Sequence, residues 1–155
     1  MEKAQSAADI MQVGGIQDAE LAARMADLSV TVETLAAFRL APLVAVAWAD
    51  DRIEEEERYA ITKAAKMAGI SADDAAMAML DAWTTKRPPS ELIDSWCDYA
   101  RSLAASLEDS HRQLLKQEVV GQIEAVAEAA GGVLGFGSVS PSERAMIARI
   151  EDALS

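Results

Sequence analysis

Apolar residues recur along this chain with the spacing of an α-helix. Met79, Leu80 and Trp83 belong to one such run, in which apolar side chains return after three or four residues. Similar runs lie at residues 21–28, 92–107 and 115–130. The strict alternation of apolar and polar positions that is typical of a half-buried β-strand is missing. The pattern predicts an all-α protein, a compact bundle of about seven helices joined by short connections.

Proline, glycine and capping residues indicate where several helices begin and end. Gly69 suits a helix C-terminus, and Pro88-Pro89 ends the helix that follows. Ser140-Pro141-Ser142-Glu143 has the form of a capping box with proline at the first helical position. The most apolar run, residues 40–49, is too short to cross a bilayer and contains Pro42. It predicts a buried helical segment.

Composition and charge narrow the classes of function. Apolar residues make up 51% of the 155 residues, which is enough for a core. Acidic side chains outnumber basic ones by 26 to 14, and the net charge of −12 argues against nucleic acid and anionic membranes as partners. Cys97 is the single cysteine, so we expect no disulfide within the chain and a cytoplasmic location. Residues 1–12 have no basic start followed by an apolar block, so we expect no secretory signal. The seven methionines are expected to fill gaps in the core.

An acidic turn follows the buried segment. Six of the eight residues at positions 50–57 are aspartate or glutamate. Glu57 shares a helical stripe with Ile53 and Ile61, so its side chain is predicted to point inward, whereas its three acidic neighbours can face water. An isolated charge is costly to bury, so Glu57 needs a partner. That partner is a set of backbone N–H groups, an arginine or a metal ion.

The same arrangement recurs near the end of the chain. Ile53-x-x-x-Glu57-Arg58-x-x-Ile61 is matched by Val139-x-x-x-Glu143-Arg144-x-x-Ile147, which predicts a degenerate internal duplication of a helix–turn–helix unit. Two interpretations of the glutamates stay open. In the first, Glu143 completes the Ser140 capping box and Glu57 is a first-turn acid with Asp51 as the cap. In the second, the glutamates bind a cation.

A family resemblance bears on this choice. Ala47-Trp48-Ala49-Asp50-Asp51-Arg52-Ile53, followed by Glu57, resembles the "A-x-A-D-G-x-I-x-x-x-E" turn of the TerB-like family. That family comprises the tellurite-resistance proteins and the related N-terminal domain of membrane-anchored DnaJ-type co-chaperones. The resemblance implies a TerB-like helical domain at residues 31–155, preceded by an N-terminal helical extension at residues 1–30. It further implies a pseudo-twofold fold, a divalent-cation site in the acidic turns, a role in a stress-response assembly and no known catalytic activity.

The resemblance also assigns the metal ligands. Asp50 and Glu57 match the acidic pair of the family, and Glu143 matches its second glutamate. Carboxylate oxygens suit a hard cation such as Ca²⁺ or Mg²⁺. Apart from the resemblance, Asp51 in the turn and Glu54 at its rim would add oxygens, so the full set of expected ligands is Asp50, Asp51, Glu54, Glu57 and Glu143.

Two residues depart from the family pattern. Asp51 stands where the family has the turn glycine, so we expect the backbone there to reach positive φ less freely. Phe136 stands where the second aspartate would lie, followed by Gly137. The second site therefore lacks one carboxylate.

Two functions follow as hypotheses. The first is a non-enzymatic TerB-like domain that binds a divalent cation and serves a stress-response, tellurite-resistance-like assembly. The second is a metal-independent interaction module that recognises a basic or apolar partner through a groove or the acidic surface. Paired carboxylates also suit acid–base catalysis, but no nucleophile, oxyanion hole or cofactor motif accompanies them, so we expect no enzyme. We expect a protein partner, whose identity the sequence leaves open together with the oligomeric state.

Overall fold

Helices make up the regular structure in the computed structural model, which describes residues 7–12, 18–131 and 139–155. No β-strand occurs within these ranges, so the all-α prediction is confirmed. Nine helical segments are described, two more than predicted. They are α1 (residues 7–12), α2 (Ala19–Asp27), α3 (Leu35–Arg39), α4 (Ala41–Ala47), α5 (Glu55–Met67), α6 (Ala75–Thr85), α7 (Ser90–Ser106), α8 (Asp109–Gly131) and α9 (Pro141–Ala153).

One of the additional segments is α3, which lies directly before the most apolar run and is separated from α4 at Leu40. α3 ends before Leu40 and α4 begins after it, and the N–H of Leu40 donates to the carbonyl of Ala37 at 2.9 Å. Pro42 lies in the first turn of α4. Proline has no N–H to donate to the preceding turn, so a continuous helix is interrupted here, whereas the start of a new helix tolerates it.

α4 lies at the centre of the bundle. Six of its seven residues are buried, and it packs against α3, α5, α7, α8 and α9. A helix that is apolar on all sides belongs in the interior, so the predicted burial of this segment is confirmed. Because the acidic turn follows α4 directly, the turn lies at the edge of the core.

The residues before position 31 contribute to the same core. Ile10, Leu21 and Met25 are fully buried in the hydrophobic cluster that also contains α4. α2 packs against α7, and Arg24 pairs with Asp98 at 2.8 Å across that contact. The segment predicted as an N-terminal extension is therefore packed into the bundle where the structure describes it.

α8 is the longest described helix and packs most extensively against α5. Ile123 and Val126 on α8 are buried, as their helical spacing predicts. The opposite side of α8 is exposed, and Leu114 there is 62% exposed. No helix among the described residues combines the length and the apolar character that crossing a membrane requires.

Candidate functional site

Glu57 points into the protein, as its place on the apolar stripe predicts. Its residue is 4% exposed, in the first turn of α5. Its Oε1 accepts the backbone N–H of Glu54 at 3.0 Å. Of the three partners left open by the sequence, the structure therefore provides a backbone N–H group. The residue at the N-cap of α5 is Glu54, which corrects the expectation that Asp51 caps this helix.

Glu143 occupies the equivalent position on α9. It is 6% exposed, and its Oε1 accepts the N–H of Ser140 at 3.0 Å. The Ser140 hydroxyl oxygen accepts the N–H of Glu143 at 3.1 Å in return. This reciprocal pair is a capping box, so the prediction from Ser140-Pro141-Ser142-Glu143 is confirmed.

The two acidic turns lie against each other. The Ser140 hydroxyl donates to Oδ1 of Asp50 at 2.9 Å, and the Glu57 side chain lies beside that of Glu143. Burial raises the pKa of Glu57 to about 7; the N–H of Glu54 opposes this rise, and the Glu143 carboxylate adds to it. Ionising both of two adjoining buried carboxyl groups is costly. Glu57 therefore keeps its proton at pH values well above those at which an ordinary glutamate loses it. A protonated Glu57 can donate to Glu143.

Asp51 adopts a conformation that the sequence did not predict. Its φ is +67°, a left-handed value that glycine adopts more readily, so the backbone reaches positive φ here with aspartate at the position. Aspartate tolerates this region better than most residues because its short polar side chain can hydrogen-bond locally. Asp51 is exposed, and its carboxylate pairs with Arg87.

The five predicted metal ligands do not converge on one point. Asp50 and Asp51 are exposed, and Glu54 is partly exposed and pairs with Arg52 at 3.2 Å. Glu57 and Glu143 meet in the interior. Among the residues that the structure describes, no group of three or more histidine, cysteine, aspartate or glutamate side chains is placed to hold a metal ion. Phe136 and Gly137, which bear on the second copy of the site, lie outside the described residues.

An open apolar groove lies between α5 and α8, a location that the sequence did not indicate. Its volume is about 1020 Å³, and its walls are formed by residues within 55–67 of α5 and 117–129 of α8. Tyr59 and Met67 on the α5 wall are 71% and 81% exposed. Leu114, one helical turn before the α8 wall, is exposed as well. The large apolar side chains that are exposed among the described residues are these three. Exposed apolar side chains grouped in a furrow are typical of an interaction site.

The charges at the groove are mainly negative. Glu55, Glu56 and Glu118 line it, against one basic residue, Lys63. Glu55 approaches Arg58 at 3.9 Å, whereas Glu56 and Glu118 take part in no described salt bridge. The groove therefore combines an apolar floor with a negative rim.

A sequence signal for the groove exists, although it is faint. Tyr59 and Met67 are eight residues apart, so they share a face of α5 that differs from the buried face of Glu57 and Ile61. Met67 does not fill the core as expected of the methionines, whereas Met25 and Met77 are buried. Periodicity alone cannot distinguish an exposed second apolar face from one that another helix covers.

Neither Glu57 nor Glu143 lines this groove or the two smaller described cavities. One of these, of about 370 Å³, lies between α4, α7 and α9, and the other, of about 210 Å³, lies between α2 and α7. The glutamate pair is thus placed to hold two helix starts together. Its arrangement offers no described space for a substrate.

Comparison of the chain with protein-family models, with curated proteins and with solved structures finds no match in any of the three.

Proposed function

We propose that this protein is a non-enzymatic helical interaction module that holds a basic, partly apolar protein segment in the groove between α5 and α8 and does so without a metal ion. The observation that carries the proposal is the exposure of Tyr59 and Met67 along one wall of that groove. Removing large apolar side chains from water is favourable, so a partner that covers them gains binding free energy.

Charge complementarity specifies the partner further. The groove carries three carboxylates and one ammonium group, on a chain whose net charge is −12. Lysine or arginine beside the apolar part of a partner would be attracted to this rim, whereas an acidic partner would be repelled. The partner is therefore a basic segment with an apolar face.

Support for metal independence comes from the acidic turns. The inward carboxylates accept backbone N–H groups and contact each other, which accounts for their burial without a cation. The TerB-like assignment, the internal duplication, the cation site and the stress-response role stay predictions of the sequence and its resemblance.

A titration tests the proposal. The probe is an amphipathic peptide of leucine and lysine, added to ¹⁵N-labelled protein and followed by NMR. We expect the amide signals of Tyr59, Lys63 and Ala125 to shift, and the affinity to fall with added salt but to be unchanged by EDTA. The Tyr59→Ser/Met67→Ser variant should bind at least about tenfold more weakly, a loss of about 1.4 kcal/mol.

Two controls make the result specific. A peptide with glutamate in place of lysine should not bind, because its charge has the sign of the rim. The Ala78→Ser/Ala82→Ser variant also introduces two serines, at exposed positions of α6, and should bind like the wild type. Equal binding by the groove variant and the wild type, or binding that EDTA abolishes, would overturn the proposal.

A further inference from the structure

Gly121 lies in the middle of α8, where glycine is a poor choice for the helix itself. Glycine within a helix is destabilising relative to alanine, because it loses more backbone freedom on folding. A Cβ atom at Gly121 would meet no heavy atom within 4 Å, and the residue does not adopt the left-handed conformation that favours glycine. Nothing in the described fold therefore requires glycine at this position.

Gly121 lies on the groove, and alanines line the same groove. Ala60 and Ala64 face the groove from α5, and Ala125 does so from α8. The distance between packed helices depends on the side chains at their contact, so small residues allow a third helix to approach closely. The larger Tyr59 and Met67 would then flank that helix.

The dimensions of the groove suit a short helix. The residues that line α8 extend from Gln117 to Ala129, a rise of about 18 Å. A helix of about 12 residues, just over three turns, has the same length. Hydrophobic grooves are also common binding sites for amphipathic helices.

We infer that the groove takes an amphipathic helix of about three turns, with lysine or arginine beside its apolar face, packed against Gly121 as a third helix over α5 and α8. This inference rests on the proposed function and specifies the conformation of the partner. An extended segment would satisfy the proposed function but would gain nothing from the missing side chain of Gly121.

Two labelled peptides of about 12 residues test the conformation of the partner. Both contain the same leucine, lysine and alanine residues. One carries a covalent staple between positions i and i+4 that holds it helical, and the other contains alternating D-residues that prevent a helix. Fluorescence anisotropy with the full chain should show the stapled peptide binding at least about tenfold more tightly.

A substitution at Gly121 tests the contact. Gly121→Leu places a side chain in the groove and should weaken binding of the stapled peptide at least about tenfold. Its melting temperature should be no lower than that of the wild type, since leucine is the better helix former. Ala82→Leu, which adds the same side chain at an exposed position of α6, should leave binding unchanged.

The outcomes separate the two proposals. Equal affinity for both peptides, or an unchanged affinity in Gly121→Leu, would overturn the helix inference and leave the proposed function standing. Failure of both peptides to bind would end the proposed function as well. A dimer of the wild type that Gly121→Leu dissociates would assign the groove to a second copy of the chain and overturn the inference.

Discussion

Glu57 and Glu143 face each other in the interior, each accepting the backbone N–H of the residue three positions before it. The contact joins the start of α5 to the start of α9. The two segments predicted to be a duplicated unit are thereby in contact in the fold. Hydrogen bonds within the acidic turns satisfy the two buried carboxyl groups. The surface that is open to a partner lies elsewhere, between α5 and α8.

The stability of the protein should fall as the pH rises from about 4.5 to about 7. Burial raises the pKa of Glu57 from 4.5 to about 7, so the folded state binds more protons than the unfolded chain in this window. This contribution is fully present below pH 4.5 and is lost as the pH rises through 7. Glu57→Gln should remove the dependence and exceed the wild type at pH 8 by up to about 3 kcal/mol.

Urea unfolding at several pH values measures this effect. Glutamine retains an oxygen for the N–H of Glu54, so the cap is preserved while the charge is removed. Glu55→Gln, at an exposed position of the same turn, serves as the control and should follow the wild type. A wild-type stability that does not change over this pH range would show that Glu57 is ionised without cost.

Ser140→Ala should lower the free energy of unfolding by about 1 kcal/mol, because it removes the side chain that caps α9. It also removes the donor to Asp50. Ser142→Ala changes the same residue type at an exposed position two residues later and should have little effect. Chemical denaturation of the two variants makes the comparison, and equal stabilities would contradict the capping role.

Asp51→Gly should be more stable than Asp51→Ala by about 1 kcal/mol, because alanine is disfavoured at a φ of +67° and glycine is not. Both substitutions remove the ion pair with Arg87, so their difference isolates the backbone. Thermal unfolding of the pair tests this. If the alanine variant is the more stable, the left-handed conformation at residue 51 does not favour glycine, and the prediction is wrong.

Ca²⁺ and Mg²⁺ should leave the melting temperature unchanged, because no three carboxylates converge in the described part of the chain. Calorimetric titration of the wild type and of Asp50→Asn/Glu57→Gln measures binding directly. We expect the heats of the two proteins to be indistinguishable. Heat of binding in the wild type alone would establish the cation site predicted from the resemblance.

Much of the local structure could be predicted from the sequence. The apolar stripe through Ile53 and Ile61 is a local pattern, so it shows that Glu57 faces inward whatever the helix packs against. The Ser140 capping box is local too, since all its atoms lie within four residues. The break between α3 and α4 at Leu40 was not predicted, although Pro42 lies beside it, because apolar residues on both sides of Leu40 do not show whether they form one helix or two.

The candidate site was harder to predict because it depends on residues far apart in the sequence. The groove forms only if α5 packs beside α8 and if no other helix covers the faces next to that contact. Neither Tyr59 nor Gly121 indicates this alone, since an apolar or small residue on a second helix face is equally compatible with burial. The carboxylate contact likewise joins two elements that only folding brings together.

The sequence by itself determined the helical class, the burial of the central apolar segment, the inward direction of Glu57 and the cap of α9, because each follows from spacings within a few residues. Only the tertiary structure decided that Glu57 meets Glu143, that Asp51 takes a left-handed conformation and that an apolar groove stays open between α5 and α8. The glutamate contact and the groove depend on which helix faces meet, and local periodicity specifies that a face is apolar without specifying what covers it.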